Sequence, residues 1–337
     1  MSEADTPDNV WRRGAAGGDD PVVSVIIPAY KAAPYIGEAL ESVFAQTFDD
    51  YEVVVVNDGS PDTDELEGVL KPYINRITYI KQENRGVSAA RNTAVRAARA
   101  PILAFLDADD LWEPDYLAVH VEAMLSDPQL DVFYPNATTF GDSVNAGQTF
   151  MDMCPSDGEV TFEKLITLRC NVLILATLRR ETFLRVGMFD ESLRGSEDFD
   201  LWLRIVAAGG RIGYHRRPLA RRRLRPGSLS SDTVMMHEHI LKVLEKSART
   251  MSLTPEQRAL LERQQTRFAA VLKLYEGKKA FFHGDDKRAV ATLNEANKFF
   301  KSAKISAVSL LLRIAPRLLL RAYEARDQYV LRTSTKF

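Results

Sequence analysis

Cysteine is almost missing from this chain: of 337 residues only Cys154 and Cys170 carry a thiol, and no CxxC spacing occurs. That pattern excludes a zinc-knuckle module and a disulfide scaffold, and it suits a reducing, cytoplasmic setting. Net charge is small as well, with 44 Lys and Arg against 46 Asp and Glu, so nothing global points to a nucleic-acid partner. No window is long, apolar and uncharged enough to span a membrane. Met1–Asp20 lacks the apolar h-region of a signal peptide and reads as a disordered leader of acids and glycines. A chain of this length buries a real core, either as one large domain with an appendage or as two domains.

What the chain does have is a βα rhythm. Val22–Ile27 predicts a strand stopped by Pro28-Ala29-Tyr30, and Pro34 is placed to open a helix reaching Gln46. Tyr51–Val56 predicts a second strand, ending in Asn57-Asp58-Gly59-Ser60, with a helix from Pro61 to Leu70 behind it. Arg76–Ile80 is a third strand, and Asn84-Arg85-Gly86 leads into an alanine-rich helix over Ser88–Ala98. The run Ile102–Leu106 is a fourth. Such repeats with short links predict a doubly wound α/β sheet with parallel strands. Further on come a helix from Glu113 to Leu125, a strand at Asp131–Tyr134, a long polar loop over Asn136–Gly158, a helix at Thr161–Leu168 and an apolar strand at Asn171–Leu178.

The fourth strand runs straight into Asp107, Asp109 and Asp110. In open parallel sheets ligands bind just past the carboxyl ends of the strands. Crowded carboxylates repel unless a cation joins them, and an all-oxygen set suits Mg²⁺ or Mn²⁺ and hence a phosphorylated substrate. A solvated acidic turn is the competing reading. Asp58 either reverses the chain beside Gly59 or accepts the N–H of a nucleotide base. Arg91, near a helix start, either reaches a phosphate or faces solvent. In Ser196-Glu197-Asp198-Phe199-Asp200, Ser196 is a candidate N-cap and acids complement the helix dipole. Three acids in four residues exceed what a cap needs, and a carboxylate at a pocket rim is the natural general base for a sugar hydroxyl.

In order and spacing, Val25-Ile26-Ile27-Pro28-Ala29-Tyr30, Asn57-Asp58-Gly59-Ser60, Asn84-Arg85-Gly86 with Ala90-Arg91-Asn92, Asp107-Ala108-Asp109-Asp110 and Glu197-Asp198 form one series. That series resembles a family 2 inverting glycosyltransferase of the GT-A fold, over about Val22–Ser231. The resemblance implies a mixed, mostly parallel sheet flanked by helices, and transfer of a sugar from a nucleotide sugar, UDP-linked by the match at Asp58. The acceptor it implies is a saccharide or a lipid-linked sugar, in cell-surface polysaccharide or glycoconjugate synthesis. It also implies roles. Pro28 and Tyr30 line the nucleotide pocket, Asp58 bonds the uracil, and Asn84, Gly86 and Arg91 shape the diphosphate and donor-sugar side. Asp107 lies by the ribose and metal, Asp109 ligates Mn²⁺ or Mg²⁺ in a DXD arrangement, and Asp198 is the base with Glu197 in support or in its place.

The QxxRW motif and membrane helices of processive members are not found, which favours adding one or a few sugars. Arginine stands where related members carry a histidine, in Arg223-Leu224-Arg225. Six arginines fall between Arg216 and Arg225, as a solvated basic loop or as contacts to a diphosphate. Arg223, Arg225 and Trp202 are the candidates for diphosphate or acceptor contact. A sugar-phosphate nucleotidyltransferase would want a glycine-rich loop where Pro28-Ala29-Tyr30-Lys31 stands. A catalytically idle nucleotide-sugar or glycan-binding module would not need Asp109 and Asp198. The expected domains are a leader over 1–20, a catalytic domain over 21–232 and an α-helical region over 233–337. Within the last, Leu272–Gly277 with Ala280, Ala289, Leu293 and Ala296 predicts one tetratricopeptide-type hairpin. Asn297–Phe337 carries nine basic residues against two acidic. A basic amphipathic end like this either packs on the protein or touches the inner face of a membrane.

Overall fold

The computed structural model describes residues 10–11, 20–225 and 233–321. It divides into two compact units, residues 1–231 with 249–257 and residues 232–248 with 258–337.

In the first unit the elements are β1 (Val10–Trp11), β2 (Val23–Ala29), α1 (Ile36–Phe44), β3 (Tyr51–Asp58), α2 (Thr63–Leu70), β4 (Thr78–Gln82), α3 (Val87–Ala97), β5 (Ile102–Phe105), β6 (Leu111–Trp112) and α4 (Tyr116–Ser126). They continue with β7 (Leu130–Gly141), α5 (Phe150–Met153), α6 (Phe162–Ile166), β8 (Thr177–Arg179), α7 (Arg180–Arg185), α8 (Glu197–Ala207) and β9 (Arg211–Leu224). The sheet order is β1-β4-β3-β2-β5-β8-β7-β9-β6. Strands β4, β3, β2 and β5 are parallel, because each returns through a helix. Every residue of β2 and of β5 is buried, as continuously apolar central strands require. Each fully buried Val or Ile in this core contributes about 1.5–3 kcal/mol of apolar burial.

From β5 outward the direction alternates: β8 runs antiparallel to both β5 and β7, and β9 is parallel to β7. Strand β6 begins one residue after Asp110 and pairs with Ala220–Arg221 of β9. That short ladder draws the arginine end of β9 to the acidic motif.

Several expected elements change extent. The apolar run Asn171–Leu178 is strand only at Thr177–Arg179, since β5 offers just four residues to pair with. The loop expected from Asn136 instead continues β7 to Gly141, because β9 supplies a partner as far as Leu224. The arginine run is therefore mostly strand and not a solvated loop. Of the expected leader, Val10–Trp11 pairs with Tyr79–Ile80 of β4, and residues 1–9 and 12–19 lie outside the described residues.

The second unit is helical: α9 (Thr233–Thr250), α10 (Pro255–Phe282), α11 (Asp286–Phe300) and α12 (Ala303–Ile314), with a further helical stretch at 316–321. Helices α10 and α11 form the expected hairpin. Gly277 permits their close approach, since a Cβ there would lie 3.0 Å from Leu293 Cγ and from Thr292 Oγ1. The side chain of Asp285 caps α11 by accepting from Arg288 N. The end of the basic segment, 322–337, lies outside the described residues.

Candidate functional site

The parallel register sets Ala29 beside Asn57 and Asp58 beside Gln82, so the exits of β2, β3 and β4 share one edge. Pro28 is buried there, while Tyr30 is 45 % exposed beyond the strand end. Asn57 is buried and accepts from Ser60 N, which shapes the turn at Gly59. Gly59 holds φ +61°, and a Cβ there would sit 2.6 Å from Asn84 N. Only glycine lets these two turns touch.

Asp58 organises the neighbouring turn. Its carboxylate accepts from Gln82 Nε2 at 2.7 Å, Arg85 N at 2.9 Å and Gly86 N at 2.8 Å. With about four lone-pair positions, it keeps one for a further donor. Asn84 is exposed at the tip, and Gly86, at φ +91°, leads directly into α3.

One turn along α3 stands Arg91, flanked by small side chains that let it sink to 2 % exposure. Its Nη2 donates to Asp107 Oδ1 at 2.6 Å and its Nη1 to Glu197 Oε1 at 2.6 Å. Burial works against a charged guanidinium, but the two carboxylates overcome it and hold Arg91 firmly protonated. Expected at the diphosphate side, Arg91 forms a buried bridge between the β5 exit and the start of α8. Next to it, Asn92 Nδ2 donates to Phe189 O and its Oδ1 accepts from Phe189 N, fixing the chain before α8.

The acidic motif splits by function. Asp110 is buried and accepts from Arg223 N at 2.7 Å, so it anchors β9. Asp109 accepts from Arg225 Nε at 2.8 Å. Burial and then the charge of Asp107 raise the Asp109 pKa, against the pull of Arg225. Asp110 is raised well above the usual range by burial and by both neighbouring aspartates. Among the described residues no three His, Cys, Asp or Glu side chains converge as a metal cage. Asp107 and Asp109, each paired with an arginine, are nonetheless two carboxylates of the kind that Mg²⁺ or Mn²⁺ uses when phosphate and water supply the remaining oxygens. The residues present fit such an ion.

Ser196 precedes α8 with φ 55° and makes no side-chain capping bond. Asp198 accepts from Phe199 N at 2.7 Å. Burial first, then the Glu197 charge, push its pKa up to about 7. Trp202 corrects an expectation: it is 1 % exposed on the buried face of α8, a core side chain with no surface for an acceptor or diphosphate. Arg223 reaches Glu38 at 2.8 Å and lies over the rings of Tyr35 and Phe140, with Arg225 also over Tyr35.

Two contributors were not singled out from sequence, Asp110 as an anchor and Glu191, which takes Arg85 at 2.5 Å and Asn92 at 3.0 Å. Glu191 had no signal, being one acid in a loop. Asp110 had one, as the acid next to the following strand.

A curled α/β sheet with this polar strand-end edge is a GT-A-type fold. The model of the family described as "Glycosyl transferase family 2" matches residues 24–184 of this chain. It is 33 % identical over 207 residues to chondroitin synthase of Escherichia coli, covering 58 % of this chain and 29 % of that one. The chain spans between 27 and 59 % of the length of the first curated relatives it matches. Among solved structures, S. aureus TarS 1-349 in complex with UDP-GlcNAc superposes with TM-score 0.60 at 20 % identity, covering 86 % of both chains. The mannosyltransferase PcManGT from Pyrobaculum calidifontis, in complex with GDP-Man and Mn²⁺, does so with TM-score 0.59 at 22 % identity, covering 94 % of this chain and 87 % of that one.

Proposed function

We propose that this chain is a metal-assisted, inverting glycosyltransferase that moves a sugar from a nucleotide sugar, UDP-linked, onto a hydroxyl of a saccharide or lipid-linked acceptor in cell-surface polysaccharide or glycoconjugate synthesis. The observation that carries it is the Arg91 bridge, which puts Asp107 and Glu197 on one guanidinium and so joins the donor edge to the acidic start of α8. The family match and the nucleotide-sugar complexes of TarS and PcManGT support the donor class. Two free cysteines suit a cytoplasmic reaction.

In this reading Tyr30 and Pro28 border the base, Asp58 offers its remaining lone pair to the uracil N–H, and Asn84 and Gly86 line the donor. Asp198 takes the proton of the acceptor hydroxyl as that oxygen attacks the anomeric carbon, and the nucleotide diphosphate leaves from the opposite face. An α-linked donor then gives a β-linked product. Glu197 keeps Asp198 basic enough to accept the proton near neutral pH, and Arg91 fixes Glu197. A divalent ion on Asp109 and Asp107 would neutralise charge on the departing diphosphate. Arg223 and Arg225 stand on that same side as further cations.

The test is a donor-hydrolysis screen across nucleotide sugars with Mn²⁺, Mg²⁺ and EDTA, alongside Asp198→Asn. Loss of turnover with retained nucleotide binding in D198N supports the reading. An unaltered transfer rate in D198N removes Asp198 from the mechanism, and turnover untouched by EDTA removes the ion.

A further inference from the structure

The helical unit carries a face that the transfer chemistry leaves unused. Helix α12 is apolar on two sides. Ile305, Val308 and Leu312 pack with Ala280, Phe281, Ala289 and Leu293 of α10 and α11, which accounts for one side. On the other, Leu310, Leu311 and Ile314 are 56, 44 and 71 % exposed, and Leu318 beyond them is 65 % exposed. With 100° between successive residues, Ala303, Ala307, Leu310, Leu311 and Ile314 form a single stripe. Lys304 falls on one flank of that stripe and Arg313 on the other, both exposed, and exposed Arg317 and Arg321 follow. From Asn297 to Arg321 there are six Lys and Arg and no Asp or Glu.

We propose that this face of α12 seats in the headgroup layer of an anionic bilayer, its leucines and Ile314 at the acyl boundary and Lys304, Arg313, Arg317 and Arg321 on lipid phosphates. Charge decides the occupant. A second copy of the chain would set cations against cations, whereas an anionic lipid surface complements both flanks at once. Long basic side chains beside an apolar stripe keep their heads in the phosphate layer while their stems cover hydrocarbon. The contact is peripheral: no helix among the described residues is long and apolar enough to cross a membrane. At a rise of ~1.5 Å per residue α12 is far shorter than a ~30 Å hydrocarbon core.

The experiment is co-sedimentation of the full chain with phosphatidylcholine vesicles, with and without phosphatidylglycerol. Binding is expected only with phosphatidylglycerol, falling in high salt. Leu310→Ser with Ile314→Ser alters exposed positions, so far-UV circular dichroism stays unchanged while vesicle affinity drops roughly tenfold per side chain. Arg313→Gln with Arg317→Gln lowers affinity for anionic vesicles roughly fivefold per charge. Equal partition into neutral and anionic vesicles, no partition at all, or wild-type binding by both variants overturns the proposal. So does a dimer in solution that L310S/I314S converts to monomer, which would give the face to a second copy. Vesicle binding is read without turnover, so its failure stays separate from any failure of the glycosyltransferase reading.

Discussion

Replacing Arg91 by methionine keeps the length of the side chain and deletes a guanidinium that is 2 % exposed. Two carboxylates then lose their partner. Asp107, with 32 % of its side chain exposed, recovers water, but Glu197, at 11 %, does not. The loss is therefore set mainly by Glu197. Removing one member of a buried ion pair costs about 3–5 kcal/mol, and the rehydration of Asp107 places R91M toward the lower end. Lysine in the same position keeps a charge but cannot reach both carboxylates, so R91K recovers only part of the loss. There is also a kinetic consequence. The Arg91 charge counters the burial and the Glu197 repulsion that raise the Asp198 pKa. Without it the Glu197–Asp198 pair takes up a proton more readily, whichever carboxyl carries it. In the proposed mechanism the base works deprotonated, so the acid limb of kcat/KM moves to higher pH. Urea denaturation with linear extrapolation measures the first effect, and a pH–rate profile the second. A variant within about 0.5 kcal/mol of wild type, the range of an ordinary surface substitution, with an unmoved acid limb refutes the bridge as described.

Glu197→Gln removes a like charge from beside Asp198 while leaving Arg91 in place, so the acid limb moves down from about pH 7; an unmoved limb in the pH–rate profile uncouples the pair. Gly59→Ala forces a left-handed residue, at a cost of about 1–2 kcal/mol, and drives a Cβ to 2.6 Å from Asn84 N. We expect weaker nucleotide binding by calorimetry, and wild-type affinity with wild-type stability contradicts the contact between the two turns. Arg225→Ala frees the Asp109 carboxylate from a partly exposed ion pair at 2.8 Å. Such pairs are worth up to about 1 kcal/mol, so apparent Mn²⁺ affinity rises by as much as about fivefold while the donor KM increases; a metal titration showing weaker Mn²⁺ binding reverses the assignment.

Which of these residues could be read before folding follows from how local their physics is. The central strands declare themselves because a strand covered on both faces must be apolar throughout, as Val53–Val56 and Ile102–Phe105 are. Gly59 and Gly86 mark positive-φ turns for the same local reason. Strand β9 is different. Its arginines hide the alternation, and its length is set by β7 as a partner and by stacking of Arg221, Arg222 and Arg223 on Phe140 and Phe150, none of it written in the segment itself. Arg91 is the same case: a lone arginine in an alanine-rich helix looks solvated until Asp107 and Glu197, 16 and 106 positions away, close on it.

The adjacent acids of α8 show the limit most sharply. Successive side chains on a helix point about 100° apart, so Glu197 and Asp198 cannot do one job between them. Which of them meets Arg91 depends on how the helix is rolled about its axis. That roll is fixed by burial of Leu201, Trp202 and Ile205 on the inner face. The same packing that buries Trp202 thus turns Glu197 to Arg91 and leaves Asp198 partly exposed, as the proposed mechanism requires of its base.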